Sequence, residues 1–121
     1  MFGKVKAYSG FSVDDIPAAE TFYRDTLGLT VKAAHGMLTL ELATGGSVLI
    51  YPKDDHVPAE FTVLNFPVDD IESTVRAMVA RGIVFERYFD HHDSLGIARG
   101  DGPPIAWFKD PAGNVLSVIE E

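Results

Sequence analysis

The residues that could do chemistry are few, and the densest group is Asp90-His91-His92-Asp93. Imidazoles flanked by carboxylates are ligand types that divalent metal ions prefer. Neighbouring side chains point apart, however, and the surrounding stretch 89–104 is rich in Gly, Asp, Pro and His, as loops are. We therefore predict a solvated loop, which could still act as a lid in which Arg99 or His92 reaches a carboxylate on a ligand.

Other familiar catalytic groups are missing. The chain has no cysteine, and therefore neither a thiolate nucleophile nor a cysteine-ligated zinc site. No serine lies in a nucleophile-elbow sequence, and no phosphate-binding loop or dinucleotide fingerprint is present. His35 and His56 are isolated near predicted turns, where we expect surface positions. The remaining candidates are polar and aromatic residues of predicted strands.

A duplicated unit must position these candidates. Residues 11–16 (FSVDDI) return as residues 66–71 (FPVDDI), an offset of 55 residues. Each copy follows a strand-like run and leads into a helix-like run that stops at Gly28 or Gly82. A repeat of this length predicts two similar units, each roughly βαβββ. They form one domain, with pseudo-repeats 1–52 and 61–121 joined by a linker at 53–60.

The periodicity predicts an α+β protein whose helices lie on the outside of curved mixed sheets, leaving the other sheet face to form a cavity. The predicted helices are Pro17–Leu27 and Asp70–Arg81. The predicted strands are Val5–Val13, Thr30–His35, Met37–Ala43, Ser47–Tyr51, Phe61–Val68, Ile83–Tyr88, Ile105–Lys109 and Val115–Ile119, with a short additional strand around residues 97–99.

Alternation along the strands divides their side chains between the helices and the cavity. The residues predicted to face the helices are Phe11, Val13, Leu64, Phe66 and Val68. Those predicted to face the cavity are Tyr8, Gly10, Ser12, Val63, Asn65, Pro67 and Ser117. A wall of Tyr, Asn, Ser and aliphatic side chains suits a small organic ligand, although a filled core or a dimer surface would show the same pattern.

Trp107 is the only tryptophan and could stack on a flat ligand, but Phe108 competes with it for the inward position. The sequence does not decide between the two. The predicted ligand-binding residues are Tyr8, Tyr51, Asn65, Arg99, Trp107 and Ser117.

Several strings carry a family resemblance over the whole chain. They are Val13-Asp14-Asp15-Ile16 leading into Phe22-Tyr23 and Leu27-Gly28-Leu29, the second Val68-Asp69-Asp70-Ile71, and the closing run 106–116 (AWFKDPAGNVL). On these strings the chain resembles the glyoxalase/bleomycin-resistance/extradiol-dioxygenase superfamily, also called the vicinal oxygen chelate superfamily. The strings themselves are caps, core aromatics and a turn, so they indicate the fold rather than a reaction.

The resemblance implies a divalent metal ligated by His or Glu at four strand positions. Here these positions correspond to Tyr8, Val63, Ser117 and the strand Val48–Tyr51. None carries an imidazole or a carboxylate, so we expect no metal and no other cofactor in the cavity.

The amino-acid composition disfavours some classes of binding partner. The chain has 18 acidic and 10 basic residues, a net charge of −8, which disfavours nucleic acid and anionic membranes. No signal peptide or membrane-length apolar run is evident, and we expect a cytoplasmic protein.

The leading hypothesis is a metal-independent protein that binds a flat or partly aromatic, neutral-to-cationic small molecule, as in drug or metabolite sequestration. We also expect a homodimer, in line with the resemblance. A glyoxalase-like lyase, isomerase or dioxygenase with an atypical metal site is the first alternative. A scaffold or regulatory module with a vestigial cavity is the second.

Overall fold

A computed structural model describes all residues, 1–121. It consists of two compact units, Met1–Pro58 and Ala59–Glu121, and the boundary lies within the 53–60 segment. The first unit contains β1 (Ser9–Val13), α1 (Ile16–Thr21), β2 (Thr30–Ala34), β3 (Met37–Glu41) and β4 (Ser47–Pro52). The second contains β5 (Thr62–Val68), α2 (Ile71–Ala80), β6 (Phe85–Glu86), β7 (Ile105–Lys109) and β8 (Val115–Glu120). The predicted pair of βαβββ units is therefore confirmed.

The sheet of the first unit has the strand order β1-β4-β3-β2, in which only the β1–β4 pair is parallel. One face of this sheet is apolar and buried, as the alternation predicts for Phe11 and Val13. The same core contains Leu38, Leu40, Val48, Ile50 and Tyr23. The other face therefore presents Gly10, Leu49 and Tyr51, which the strand register places side by side.

The first helix is shorter than the predicted Pro17–Leu27. It begins after Asp15, whose carboxylate accepts a hydrogen bond from the Ala18 N–H at 3.0 Å. From Phe22 to Thr26 the chain widens into a π-helical turn, with the Leu27 N–H donating to the Phe22 carbonyl. This turn buries the Tyr23 ring against Phe11, at a centroid distance of 6.1 Å. Neither helix of the structure is long and apolar enough to cross a bilayer.

Three strand predictions were wrong in extent, because a strand lasts only as long as its partner. The predicted strand Val5–Val13 begins at Ser9, opposite Val48, so Tyr8 precedes it. The predicted strand Ile83–Tyr88 shrinks to β6, which pairs only with two residues of β7. The predicted short strand at 97–99 is reduced to isolated bridges through Ala98.

The sheet of the second unit has the strand order β5-β8-β7-β6, with β5 and β8 parallel. One face packs under α2, where Ile71 and Val75 are fully buried. The sheet residues of this core are Ala106, Phe108, Leu116 and Val118. The opposite face contains the polar residues described next.

Candidate functional site

A β-bulge decides which residues of β5 share a face. Thr62 pairs with Val115 and Leu64 with Leu116, so Val63 is an extra residue in the strand. Simple alternation, which predicts Val63 on the same face as Asn65, is therefore interrupted at Val63. Thr62 lies on the Asn65 face, because its partner Val115 lies on the same face of β8 as Ser117.

The strand register brings three predicted site residues together: Asn65, Trp107 and Ser117. Asn65 pairs with Ser117 across β5 and β8, and Ser117 pairs with Trp107 across β8 and β7. Paired residues of adjacent strands have side chains on the same face of a sheet. We call the face formed by Thr62, Asn65, Trp107 and Ser117 the Trp107 face.

Asn65 and Ser117 form a polar pair at the centre of the Trp107 face. The Ser117 hydroxyl is fully buried and lies 2.5 Å from the Asn65 amide oxygen. Since that oxygen can only accept, Ser117 is the donor, and the amide is held in one orientation. The Asn65 side chain itself is exposed, so its NH₂ group remains accessible.

The question of Trp107 or Phe108 is settled by the pairing of β7. Phe108 is fully buried on the α2 side, with its ring 5.8 Å from that of Phe85. Trp107 is only partly buried, and its Nε1 donates to the Thr62 hydroxyl at 3.1 Å. Because β8 lies between β5 and β7, the indole must cross β8 to make this bond.

Three further rings contact the indole, and a fourth stacks on one of them. The centroids of Tyr88, Phe89 and His92 lie 5.5, 6.0 and 6.0 Å from that of Trp107, in edge-to-face arrangements. His91 stacks on Phe89 at 5.0 Å with an interplanar angle of 9°. About half of the surface of Tyr88 and Phe89 is exposed, at 47% and 53%. This ring cluster is therefore a partly exposed aromatic patch.

The two charged side chains beside Trp107, Glu86 and Lys109, neutralise each other. Glu86 pairs with Trp107 across β6 and β7, and its carboxylate forms a salt bridge to Lys109 at 3.2 Å. Burial is the largest influence on the pKa of Tyr88 and raises it above its usual range. The Glu86 charge raises this pKa further, whereas the Lys109 charge acts to lower it. The Tyr88 phenol is therefore neutral at physiological pH.

The loop that follows β6 is held by its own side chains. The Asp93 carboxylate accepts the backbone N–H groups of Leu95 and Ile97, both at 2.9 Å. The His92 ring bridges the Tyr88 N–H and the Gly96 carbonyl, at 3.1 and 2.8 Å. A carbonyl only accepts and an N–H only donates, so His92 is the neutral tautomer with its proton on Nδ1. The loop thereby fixes the rings that contact Trp107.

Arg99 is already engaged by carboxylates. Its guanidinium lies 2.9 Å from Glu72 on α2 and 3.2 Å from Asp93. Its predicted contact with a ligand stays a prediction, and reaching a ligand would require breaking one of these ion pairs.

The remaining predicted site residues lie in the first unit. Tyr8 precedes β1 and is 65% exposed, and Tyr51 on β4 is 37% exposed. Tyr51 pairs with Ser12 across β1 and β4. His56 is not isolated as expected, because its Nδ1 lies 2.7 Å from the Ser12 hydroxyl and its ring is partly buried.

Metal ligands are scarce in both units. Within residues 1–121, no three His, Cys, Asp or Glu side chains converge as a metal ion would require. Of the four positions that the family resemblance marks, Ser117 is engaged by Asn65 and Val63 lies in the bulge. Asp90, His91 and His92 belong to the ring cluster and its loop rather than to a metal site.

Sequence reasoning missed Thr62, Tyr88 and Phe89. Thr62 was hidden by the bulge, for which the residues of β5 give no local signal. Tyr88 ends the predicted strand Ile83–Tyr88, and Phe89 begins the stretch interpreted as a loop. Their size and apolarity beside two histidines was nevertheless a usable signal for a ring cluster.

Structural comparison agrees with this fold. A glyoxalase/bleomycin resistance protein/dioxygenase superfamily member from Sphaerobacter thermophilus DSM 20745 has a TM-score of 0.75 at 20% identity, covering 100% of both chains. A glyoxalase family protein from Enterococcus faecalis has a TM-score of 0.70 at 23% identity, covering 99% of this chain and 100% of that one. TnmS3, an antibiotic binding protein from Streptomyces sp. CB03234, has a TM-score of 0.70 at 20% identity and 97% coverage of both.

Sequence comparison gives the family. Among curated proteins, no sequence shows significant similarity to this chain. The family model described as Glyoxalase/Bleomycin resistance protein/Dioxygenase superfamily matches residues 7–118. This match spans both βαβββ units and agrees with the topology of their sheets. The chain therefore belongs to the Glyoxalase/Bleomycin resistance protein/Dioxygenase superfamily.

Proposed function

We propose that this protein is a cytoplasmic homodimer that binds a flat, partly aromatic small molecule on the Trp107 face without a metal ion. The observation that carries the proposal is the half-open ring cluster around Trp107, directly beside the Asn65–Ser117 pair. A partly exposed tryptophan among four other rings is a stacking surface, and an oriented amide supplies direction.

The ring cluster supplies most of the binding energy in this proposal. Each aromatic pair contributes about 0.5–1.5 kcal/mol beyond area burial, so a ligand contacting Trp107 and Phe89 gains roughly five-fold to a hundred-fold in affinity. The cluster is held in place before the ligand arrives, because Asp93 and His92 tie the loop to its own backbone. A preorganised site avoids the entropic cost of ordering its side chains on binding.

Two further observations support binding as the role. The net charge of −8 repels polyanions at long range and leaves neutral molecules free to approach. TnmS3, which shares the fold, is an antibiotic binding protein, and sequestration of a drug or metabolite is the corresponding role here.

Metal independence rests on the donor types at the four family positions, where Tyr8, Val63, Ser117 and the Val48–Tyr51 strand offer no imidazole or carboxylate. We expect ligand affinity to be unchanged after exhaustive dialysis against a chelator. Elemental analysis that finds about one divalent metal per chain, together with affinity lost on chelation, would favour the enzyme alternative.

The test begins with a thermal-shift screen of small aromatic compounds. Because Trp107 is the only tryptophan, its Nε1–H gives a single indole N–H resonance that reports this face directly. We expect hits to shift that resonance and to bind Trp107→Leu at least ten-fold more weakly in calorimetry. Val79→Ala, on an exposed position of α2, is the control and should bind normally. Hits that bind Trp107→Leu as tightly as wild type would place the site elsewhere.

A further inference from the structure

The hydrogen-bonding polarity of the Trp107 face follows from which donors and acceptors are already used. Trp107 has a single polar hydrogen, and it is donated to the Thr62 hydroxyl at 3.1 Å. The indole therefore offers a ligand only its ring surface. Thr62, having accepted, retains its own hydroxyl hydrogen to donate.

Asn65 has the same polarity for a different reason. Its amide oxygen is occupied by the Ser117 hydroxyl at 2.5 Å. Carbonyl oxygen and NH₂ lie on opposite sides of a planar amide, so the two N–H donors point away from buried Ser117. The accessible part of Asn65 is thus its NH₂ group, which can only donate.

The nearby acceptor is neutralised. The Glu86 carboxylate, which lies beside Trp107 on the same face, is paired with the Lys109 ammonium at 3.2 Å. The neutral Tyr88 phenol adds another O–H that can donate. Around Trp107 the chain therefore presents several donors, while the Thr62 and Asn65 oxygens and the Glu86 carboxylate are each already engaged by a protein donor.

The two donors of β5 lie along one edge of the ring cluster. Thr62 and Asn65 occupy successive positions on this face, because their partners Val115 and Ser117 are two residues apart on β8. Two strand residues span about 7 Å, which sets the spacing of the two donors. A flat ligand stacked by the Trp107 cluster would have one edge toward both groups.

We propose that the ligand carries hydrogen-bond acceptor oxygens, such as ketone or amide carbonyls, on the ring edge that faces β5, and that the site rejects N–H donors at that edge. This inference rests on the proposed function and narrows its ligand class. It excludes ammonium ligands, which are donors, from the neutral-to-cationic class that the sequence suggested.

Three bicyclic probes test this polarity: 1-indanone with a carbonyl, indane with neither group, and indoline with an N–H. Dissociation constants are measured from the Trp107 Nε1–H resonance. We expect 1-indanone to bind about five-fold or more tightly than indane, the effect of one net hydrogen bond, and indoline to bind no better than indane.

Asn65→Asp is the decisive variant, because it keeps an oxygen for Ser117 and replaces the NH₂ group by an acceptor. It should abolish the preference for 1-indanone and favour indoline. Thr62→Val should reduce the preference without reversing it. Ala77→Asp, at an exposed position of α2, adds the same charge away from the site and should leave the preference unchanged.

The outcomes separate this inference from the proposed function. If all three probes shift the Trp107 Nε1–H resonance and bind with equal affinity, the proposed donor polarity is wrong, but the Trp107 face is still the binding site. Failure of 1-indanone to shift Trp107, when screen hits do shift it, would also overturn the inference. If neither the probes nor any screen hit shifts the Trp107 Nε1–H resonance, the proposed function is wrong, and so is the inference about polarity that rests on it.

Discussion

Trp107 and Phe108 are neighbours in the chain with opposite roles, and strand pairing assigns them. Phe108 lies among the buried residues under α2, whereas Trp107 lies on the open face with a single hydrogen bond to Thr62. Since a strand alternates its faces, one of two adjacent aromatic residues must point away from the core. Substitution of Phe108 should therefore mainly affect the stability of the fold, and substitution of Trp107 should mainly affect ligand binding.

We expect Phe108→Leu to lower the free energy of unfolding by about 1–2 kcal/mol, because it leaves a void in a fully buried position. Trp107→Leu should cost less stability and should remove ligand binding. Urea unfolding followed by circular dichroism measures the first effect in both variants, and calorimetry measures the second. Similar losses of stability in the two variants would contradict this division of roles.

At the scale of elements, the loop after β6 is stabilised by Asp93. Burial, the largest single influence, acts to raise the pKa of Asp93. The backbone N–H groups of its own loop and the Arg99 guanidinium outweigh burial, so the pKa lies below the usual 3.8. A carboxylate whose pKa is lower in the folded state stabilises the fold fully above its unfolded pKa, and this contribution is lost as the pH falls through the folded pKa.

We therefore expect wild type to exceed Asp93→Asn in thermal stability above about pH 4, and the difference to shrink steadily as the pH is lowered below that value. Thermal midpoints measured between pH 2 and pH 6 test this, in the same buffers for both proteins. Asp101→Asn, an exposed position of the same loop, is the control and should follow wild type. Parallel pH profiles for wild type and Asp93→Asn would refute the role of the carboxylate.

The turn between β7 and β8 is a second local element, and its backbone conformation requires glycine at one position. Gly113 has φ of +86°, and the buried Asp110 carboxylate accepts the N–H groups of Ala112 and Asn114 at 3.0 and 2.9 Å. A side chain at this backbone conformation is strained, so Gly113→Ala should cost about 1–2 kcal/mol of unfolding free energy. Gly102→Ala should be close to neutral in the same urea titration, because a Cβ added there would meet no atom within 4 Å and the backbone has no positive φ. Equal effects of the two substitutions would show that the turn does not require glycine.

At the scale of the whole molecule, large apolar side chains remain on the surface. Phe2, Val57, Phe61 and Val84 are each more than two-thirds exposed, at 74%, 79%, 71% and 76%. Exposed apolar side chains favour association where they can be buried against a partner. We expect a homodimer in sedimentation velocity at micromolar concentration, dissociating only on dilution. A single monomeric species across that range would contradict this expectation.

Much of the fold could be predicted from the residues themselves, because the interactions that decide it are local. The aspartates of the repeated VDDI strings cap both helices, with Asp70 accepting the Ser73 N–H at 3.2 Å just as Asp15 accepts that of Ala18. The alternation from Leu64 to Val68 also agrees with the observed burial pattern. Capping and alternation involve residues within four positions of each other, so their signals survive in a short stretch of sequence.

The site depended on partners distant in the chain, and only the tertiary structure decided it. Thr62 joins Asn65 because β8, more than 50 residues later, imposes a bulge at Val63. Trp107 faces outward because it pairs with Ser117, and Arg99 is held because α2 supplies Glu72. The sequence alone determined the paired βαβββ units and the positions of their caps, because adjacent residues encode them. Strand register and long-range hydrogen bonds exist only once the sheet has formed, and they determine which side chains meet.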